Sequence, residues 1–349
     1  MNNKQKKFFS YLILFFFLSG ACFLLWQEIY FMRKSDSVET KIFSVVTGQG
    51  SRSIAINLEG AHLIKWGPLF RLYVFFEGIA GNLQAGVYEL SPSMSIPEIA
   101  QKLASGNTIK IKATIPEGFN IKDIQETLSS DLQRTILFNL QVEVGDETKA
   151  SSSPFASARV FKEEFSFLKD SPENASLEGF LFPDTYFFEL DESDKEICVK
   201  FLKNFEEKFA PIQGKIPAMG KTIFETIVMA SLLEKEVKTL EDKKLVSGIL
   251  WKRLKVGMPL QVDATLNYIT GKNNDGVSIA DTKIDSPYNT YKYSGLPAGP
   301  IANPGLESMQ ASVYPESSGY WYYLSSAEGK TIFSKTLAEH NLARAKYLK

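Results

Sequence analysis

The stretch Ile227-Val-Met-Ala-Ser-Leu-Leu-Glu234-Lys-Glu236-Val237 ends an otherwise apolar segment with two carboxylates and one lysine. Apolar residues fall on every helical face of it, at Ile223, Ile227 and Ala230 and again at Val228, Met229, Leu232 and Leu233. The spacing therefore predicts a largely buried helix. A glutamate carried into such surroundings loses much of its hydration and tends to hold its proton. A carboxyl still protonated near neutral pH is what general-acid catalysis requires. The same residues also admit a bland arrangement, with both glutamates in water and paired to Lys235 or Lys238. The helix alone does not choose between the two.

Composition narrows the other chemistries. The chain has 349 residues, 44% of them hydrophobic, enough for one large domain or two to three small ones. Its 39 basic and 40 acidic residues nearly cancel, and no basic stripe interleaved with aromatics points to nucleic acid. Only two histidines (His62, His340) and two cysteines (Cys22, Cys198) are present. They lack the spacing of a zinc site or of a Ser-His-Asp triad. No glycine-rich phosphate loop occurs either, so neither a metal nor a nucleotide cofactor is expected.

The elements that position those carboxylates begin with an anchor. Phe8 to Gln27 is uncharged and almost wholly apolar. At ~1.5 Å per residue its length matches a hydrocarbon core of ~30 Å. Lys4, Lys6 and Lys7 precede it, which keeps residues 1–7 in the cytoplasm and sends the rest across. A cleaved signal is the competing reading, since Ser19-Gly20-Ala21 offers small residues and Cys22 suggests a lipoprotein site. The apolar run continues through Phe23-Leu24-Leu25-Trp26, which favours the uncleaved anchor. With Cys22 in the membrane, Cys198 has no disulfide partner.

Residues 28–40 read as a charged tether. Residues 41–108 then alternate short strand and helix patterns: a strand at Ile42–Val46, helices at Ser51–Leu58 and Trp66–Glu77, a strand at Gly86–Leu90, and a helix through Leu103. Ser95-Ile-Pro-Glu98 is a capping signature for that last helix, with Gly106 beyond its end. The pattern resembles a LysM-like carbohydrate-binding module, and it equally suits a spacer. A strand at 109–115, the turn Pro116-Glu-Gly118 and a helix at Ile121–Leu128 open the part 109–349. Residues 141–176 turn polar, with Asp146-Glu-Thr-Lys-Ala-Ser-Ser-Ser-Pro154, and the segment is expected to contain a flexible surface loop inside the second domain. Helices dominate 192–256, and a loop-rich, aromatic-rich third closes with a helix at about 336–347. The expected class is α+β.

Five segments carry more information together than singly. They are Thr114-Ile-Pro-Glu-Gly118, Leu177-Glu-Gly-Phe-Leu-Phe-Pro-Asp-Thr-Tyr186, Ala230-Ser-Leu-Leu-Glu-Lys-Glu236, Arg253-Leu-Lys-Val-Gly-Met-Pro-Leu-Gln-Val-Asp-Ala-Thr265, and Ser286-Pro-Tyr-Asn-Thr-Tyr291 running on to Gly295-Leu-Pro-Ala-Gly-Pro-Ile-Ala-Asn-Pro-Gly305. In this order and spacing the chain resembles the YceG-like endolytic murein transglycosylases (the MltG family). The resemblance implies an enzyme of the bacterial cytoplasmic membrane that cuts peptidoglycan glycan strands internally. Its partners would be those strands and the membrane, with cell-wall synthases as further candidates. It also implies that the catalytic glutamate falls on Glu236.

Glu234 and Glu236 are two apart, so on a helix they project roughly 200° from each other at ~100° per residue. Only one can face a substrate. Glycoside hydrolysis needs two carboxyls across the scissile bond. A lytic transglycosylase needs one, which protonates the glycosidic oxygen and then takes the proton of the sugar's own 6-hydroxyl. Asp263 or Asp184 remains available as a second carboxylate, which leaves a hydrolase open. Glu178, Gln261, Asp263, Asn289, Tyr291 and Asn303 are candidate ligands for sugar hydroxyls and N-acetyl groups, and Asn and Asp equally serve to tie loops. Phe180 and Phe182 suit the core better than a sugar platform. Arg253 is expected to pair with an acid, and Glu117 suits either a turn or a cleft. The chain departs from the family pattern where Thr331 or Ile332 replaces a C-terminal motif histidine and Ala298 replaces a frequent proline; His340 is retained. A non-catalytic peptidoglycan-binding scaffold is the rival reading.

Overall fold

The computed structural model describes residues 3–30, 40–139, 155, 157–272, 277–326 and 329–347. Its contacts divide the chain into two units: Met1–Ile111 with Asp131–Val144 and Phe187–Asp191, and Lys112–Ser130 with Gly145–Tyr186 and Glu192–Lys349.

The first unit opens with α1 (Asn3–Tyr30). Within it Lys7–Tyr30 has a mean hydropathy of 2.3 and is long and apolar enough to cross a membrane. The helix continues through Glu28, Ile29 and Tyr30, so the first residues expected in a tether are its last turn. Residues 31–39 of that tether lie outside the described residues. β1 (Lys41–Val45) pairs antiparallel with β2 (Gly86–Leu90), with Phe43 opposite Tyr88. Between them run α2 (Ser51–Gly60) and α3 (Gly67–Phe76), and α4 (Ile96–Ser105) follows. The Ser95 hydroxyl accepts the Glu98 N–H at 3.4 Å while the Glu98 carboxylate accepts the Ser95 N–H at 2.7 Å, the reciprocal cap expected from the sequence. Phe43, Ile54, Leu58, Phe70, Tyr88, Ile99 and Leu103 close one core beneath the hairpin.

Two short strands, β3 (Lys110–Thr114) and β4 (Thr185–Glu189), form a second two-stranded sheet. After β3 comes α5 (Ile121–Asn139). Of the segment 141–176, residues 141–154 and 156 lie outside the described residues. The polar run on which the expected loop rests is among them, and in the remainder Phe155, Phe161, Phe165, Phe167 and Leu168 are buried. Polar neighbours hid a run of aromatics at irregular spacing, which packs through 3₁₀ turns instead of one helix face.

The second unit is mostly helical, with α6 (Asp194–Gln213), α7 (Ile223–Glu236), α8 (Leu240–Lys255), α9 (Asp263–Thr270), α10 (Leu306–Val313) and α11 (Leu337–Tyr347). α7 is the central one: every residue from Thr226 to Leu233 is buried. Phe167, Phe180 and Phe205 stack one side of the core, with centroids 4.8 and 5.3 Å apart about Phe205. Gly179 lets the Leu177–Tyr186 segment lie directly on α7. Its φ is +87°, and a Cβ there would come within 2.8 Å of the Ile227 side chain. The C-terminal third contains a hairpin not anticipated from the sequence, β5 (Tyr322–Ser325) with β6 (Thr331–Ser334), in which Tyr323 lies opposite Phe333.

Candidate active site

α7 starts at Thr222, whose side chain accepts the Glu225 N–H at 3.0 Å, and it runs as a buried rod until its last turn. There its two glutamates part company. The Glu234 carboxylate accepts the Gly305 N–H at 3.0 Å and the Ser308 hydroxyl at 2.6 Å, so it caps the start of α10. The buried Lys243 ammonium of α8 approaches it at 3.5 Å. All of these partners are protein groups at the junction of three helices. Glu117 lies over the same junction, close enough to occupy the space a Cβ on Gly305 would need. Burial and the Glu234 charge raise its pKa.

Glu236 faces the other way and is half-buried. Its carboxylate accepts the Tyr323 hydroxyl at 3.0 Å from β5, and the Ala264 N–H in the first turn of α9 also bonds to it. The Ser325 hydroxyl donates to its backbone carbonyl at 3.2 Å, which fixes the end of α7 to the hairpin. Burial pushes its carboxyl up to about 7, and the Asp263 carboxylate adds to the rise. The Tyr323 and Ala264 hydrogen bonds and the Arg253 charge act against it and do not overcome it. Its polar partners, a phenol and a helix start, were not suggested by the sequence. Neither Lys235 nor Lys238 pairs with the glutamates in the described structure, and Lys235 donates instead to the Gly118 carbonyl at 3.1 Å.

Asp263, the first residue of α9, is exposed and accepts a hydrogen bond from the Tyr291 hydroxyl. Burial and that bond raise the Tyr291 phenol's pKa, so it stays a donor. Gln261 precedes them with φ +53°, a conformation that non-glycine residues adopt rarely and at a cost of about 1–3 kcal/mol. Bonds from the Gln261 N–H to the Thr290 carbonyl (3.1 Å) and from the Val262 N–H to the Thr290 hydroxyl (3.0 Å) hold it there. The result leaves the Gln261 side chain exposed two residues from Asp263. Glu236, Asp263, Tyr291 and Gln261 are thus gathered by three short segments.

The other expected sugar ligands are placed differently. Asn289 is buried; its amide donates to the Thr282 and Ile284 carbonyls and accepts the N–H groups of Tyr291 and Lys292. It shapes the loop that presents Tyr291. Asn303 donates to Phe119 and to Glu178 at 3.0 and 2.9 Å and accepts the Leu181 N–H at 2.9 Å. Glu178 also accepts the Ile121 N–H at 3.1 Å, and burial pushes its carboxyl up to about 8. These two form a network of their own. Asp184 is tied to the Thr185 N–H at 2.7 Å and to Asn204 at 3.1 Å, so of the two spare carboxylates Asp263 is the one that acts on Glu236.

Arg253 pairs with no acid in the described structure. Its guanidinium donates to the Trp321 carbonyl at 2.9 and 2.6 Å and to the Leu260 carbonyl at 2.7 Å, joining the hairpin to the loop before α9. Both flanks of Glu236 therefore hang on one buried side chain. His340 of α11 stacks on Tyr322 at 5.4 Å, and burial with the nearby Arg344 and Arg253 charges lowers its pKa. Tyr323 is the principal residue that the sequence reading missed. Its signal was present: Tyr320-Trp-Tyr-Tyr-Leu-Ser and Thr331-Ile-Phe-Ser flank Gly329, a strand–turn–strand composition.

Comparison with known proteins finds relatives of the chain. The chain is 33% identical to the endolytic murein transglycosylase of Bacillus subtilis (strain 168), over 94% of this chain and 91% of that one. It is 30% identical to the endolytic murein transglycosylase of Streptococcus pneumoniae serotype 2 (strain D39 / NCTC 7466), over 95% of this chain, and spans 63% of that longer relative. A crystal structure of a yceG-like protein from Listeria monocytogenes, 33% identical, aligns with a TM-score of 0.55 over 88% of this chain and 100% of that chain. The model of the YceG-like family matches residues 43–346, and the chain belongs to that family.

Proposed function

We propose that the protein is an endolytic peptidoglycan lytic transglycosylase that cleaves the MurNAc-β-1,4-GlcNAc bond with Glu236 as acid and then base. The observation that carries this reading is a half-buried glutamate with a pKa of about 7 beside an exposed aspartate and a phenol donor. The names of the relatives support the same reaction class. Protonated Glu236 gives its proton to the glycosidic oxygen as the bond from C1 to that oxygen breaks. Positive charge develops at C1, where the Asp263 carboxylate is suited to oppose it, with Tyr291 and Gln261 on sugar hydroxyls. The MurNAc 6-hydroxyl oxygen then bonds to C1, and the Glu236 carboxylate takes its proton, which restores the starting state. The product end is 1,6-anhydro-MurNAc. Asn289, Asn303, Glu178 and Arg253 hold the loops in this scheme.

The same reading makes α1 an uncleaved single-pass anchor of the cytoplasmic membrane, with residues 1–7 inside and the remainder outside. Residues 41–108 serve as a LysM-like module and 109–349 as the catalytic domain, which acts on strands as synthases extend them and limits their length. Incubating the full-length protein with purified glycan strands and weighing the products tests the chemistry. Anhydro ends 20 Da lighter than a reduced end (about 18 Da less than a free one, the mass of the water not added) are expected. New reducing ends would make Asp263 the partner of a hydrolase, and uncut strands would leave a scaffold.

A further inference from the structure

α3 is apolar on two opposite faces. Leu69, Phe70 and Val74 are buried in the core of the first unit. Pro68, Arg71, Leu72, Phe75 and Phe76 follow the i, i+3, i+4, i+7, i+8 spacing of the other face and are exposed. On a surface helix that stripe is normally polar. Here Leu72, Phe75 and Phe76 are 45%, 72% and 76% exposed, and Trp66, just ahead of the helix, is 50% exposed. Large apolar side chains gathered this way mark a surface that something apolar covers.

The neighbourhood of the face identifies the cover. The last turn of α1 is fastened to the same module: the Glu28 carboxylate meets the Lys65 ammonium at 3.2 Å, and the Tyr30 ring stands edge-on to Tyr73 at 6.2 Å. A cavity of about 550 Å³ beside this junction is lined by Leu24, Leu25, Glu28, Lys65, Trp66 and Leu69. Leu24 and Leu25 belong to the apolar run and lie roughly 3–5 Å short of its end at Gln27, at ~1.5 Å per residue. Trp66 shares a cavity with them and so sits near the boundary between hydrocarbon and headgroups, the depth that indole rings favour. Exposed Arg71 lies within the same stripe, a cation suited to anionic lipid headgroups. The apolar face thus continues from the span itself, which favours lipid over a second protein as its occupant.

We infer that Leu72, Phe75, Phe76 and Trp66 insert into the outer headgroup layer of the bilayer that α1 crosses. The first unit then rests on the membrane as an interfacial body. This rests on the reading of α1 as an uncleaved span, and the experiment separates the two. Full-length protein carrying Cys22→Ala and Cys198→Ala receives one new cysteine through Phe75→Cys or, as a water-exposed reference, Lys122→Cys. Each is labelled with an environment-sensitive fluorophore and reconstituted in phosphatidylglycerol–phosphatidylethanolamine vesicles. Insertion to ~5–10 Å predicts that lipid spin-labelled near its headgroup quenches the Phe75→Cys label at least about twofold more than the reference, with iodide showing the reverse order. Equal iodide quenching at both sites, in a protein that resists carbonate extraction, overturns the inference and leaves the span intact. Protection from iodide and from lipid label alike means a protein cover, such as a second copy, and also overturns it. Carbonate-extractable protein, or a mature mass lacking residues 8–27, overturns the span and the inference together.

Discussion

Replacing Tyr323 with phenylalanine isolates one of the forces that set the acid. The tyrosine hydroxyl donates to the Glu236 carboxylate at 3.0 Å and favours its charged form, against burial and Asp263, which raise the pKa to about 7. Phenylalanine keeps the ring opposite Phe333 in the hairpin and removes only the donor. A hydrogen bond to a charged group contributes about 1.5–3 kcal/mol. At about 1.4 kcal/mol per pKa unit that is one to two units, of which water entering the half-open site restores part, leaving a rise of about one unit. The sign follows directly: losing a donor to the carboxylate stabilises the acid, so Glu236 in Tyr323→Phe titrates near 8. Its protonated fraction at pH 8 relative to pH 6 then climbs from about 0.1 to about 0.5, a fivefold change in the ratio of the two rates. The assay is kcat/KM for anhydro-product formation from short glycan strands across pH 5–9, which reports the free enzyme. An alkaline limb that stays put or moves to lower pH would refute this account of the site. So would a wild-type rate that keeps rising from pH 5 to pH 8 with binding unchanged.

Three further outcomes follow from the same geometry. Glu236→Gln should lower cleavage by at least ~10²–10⁴-fold while the thermal midpoint holds, since it removes the acid and leaves the packing. Glu234→Gln should do the opposite: it leaves Lys243 as an uncompensated buried charge and lowers unfolding free energy by about 3–5 kcal/mol in urea melts, with cleavage by the folded fraction near normal. Glu178, whose folded pKa of about 8 stands above the unfolded value, contributes stability at acid pH that is lost as pH rises through about 8. Melts of wild type from pH 5 to pH 9 should show that loss, and Glu178→Gln should flatten it; parallel curves would remove the buried-acid reading of Glu178.

Much of this architecture was legible because local rules sufficed. The Ser95–Glu98 cap, the apolar run from Phe8 to Gln27 and the all-round burial of α7 depend only on near neighbours in the chain. What was illegible depends on long-range partners. Whether Asn303 meets sugar or protein is decided by Phe119, Leu181 and Glu178, each more than a hundred residues away. Arg253 was expected to find an acid, and it finds the carbonyls of Trp321 and Leu260, which have no side-chain signature. The aromatics around Phe161 and Phe165 follow neither helical nor strand periodicity, so no pattern announces their burial.

The two glutamates of α7 show why spacing chose their directions and partners chose their chemistry. Two residues of helix turn one carboxylate to α8 and α10 and the other to α9 and the hairpin. Glu234 meets a cation, a backbone N–H and a hydroxyl, and it is thereby committed to holding helices together. Glu236 meets a phenol, one N–H and a neighbouring carboxylate, a set too weak to offset its desolvation. That shortfall leaves about half of it protonated at pH 7, the balance that the proposed acid-then-base role requires. A cation placed as close to Glu236 as Lys243 is to Glu234 would lower its pKa and deprive the site of its proton. The Arg253 guanidinium, whose charge acts on Glu236 only weakly, is instead bound through three hydrogen bonds that hold its fork on backbone carbonyls, where it orders both flanks of Glu236.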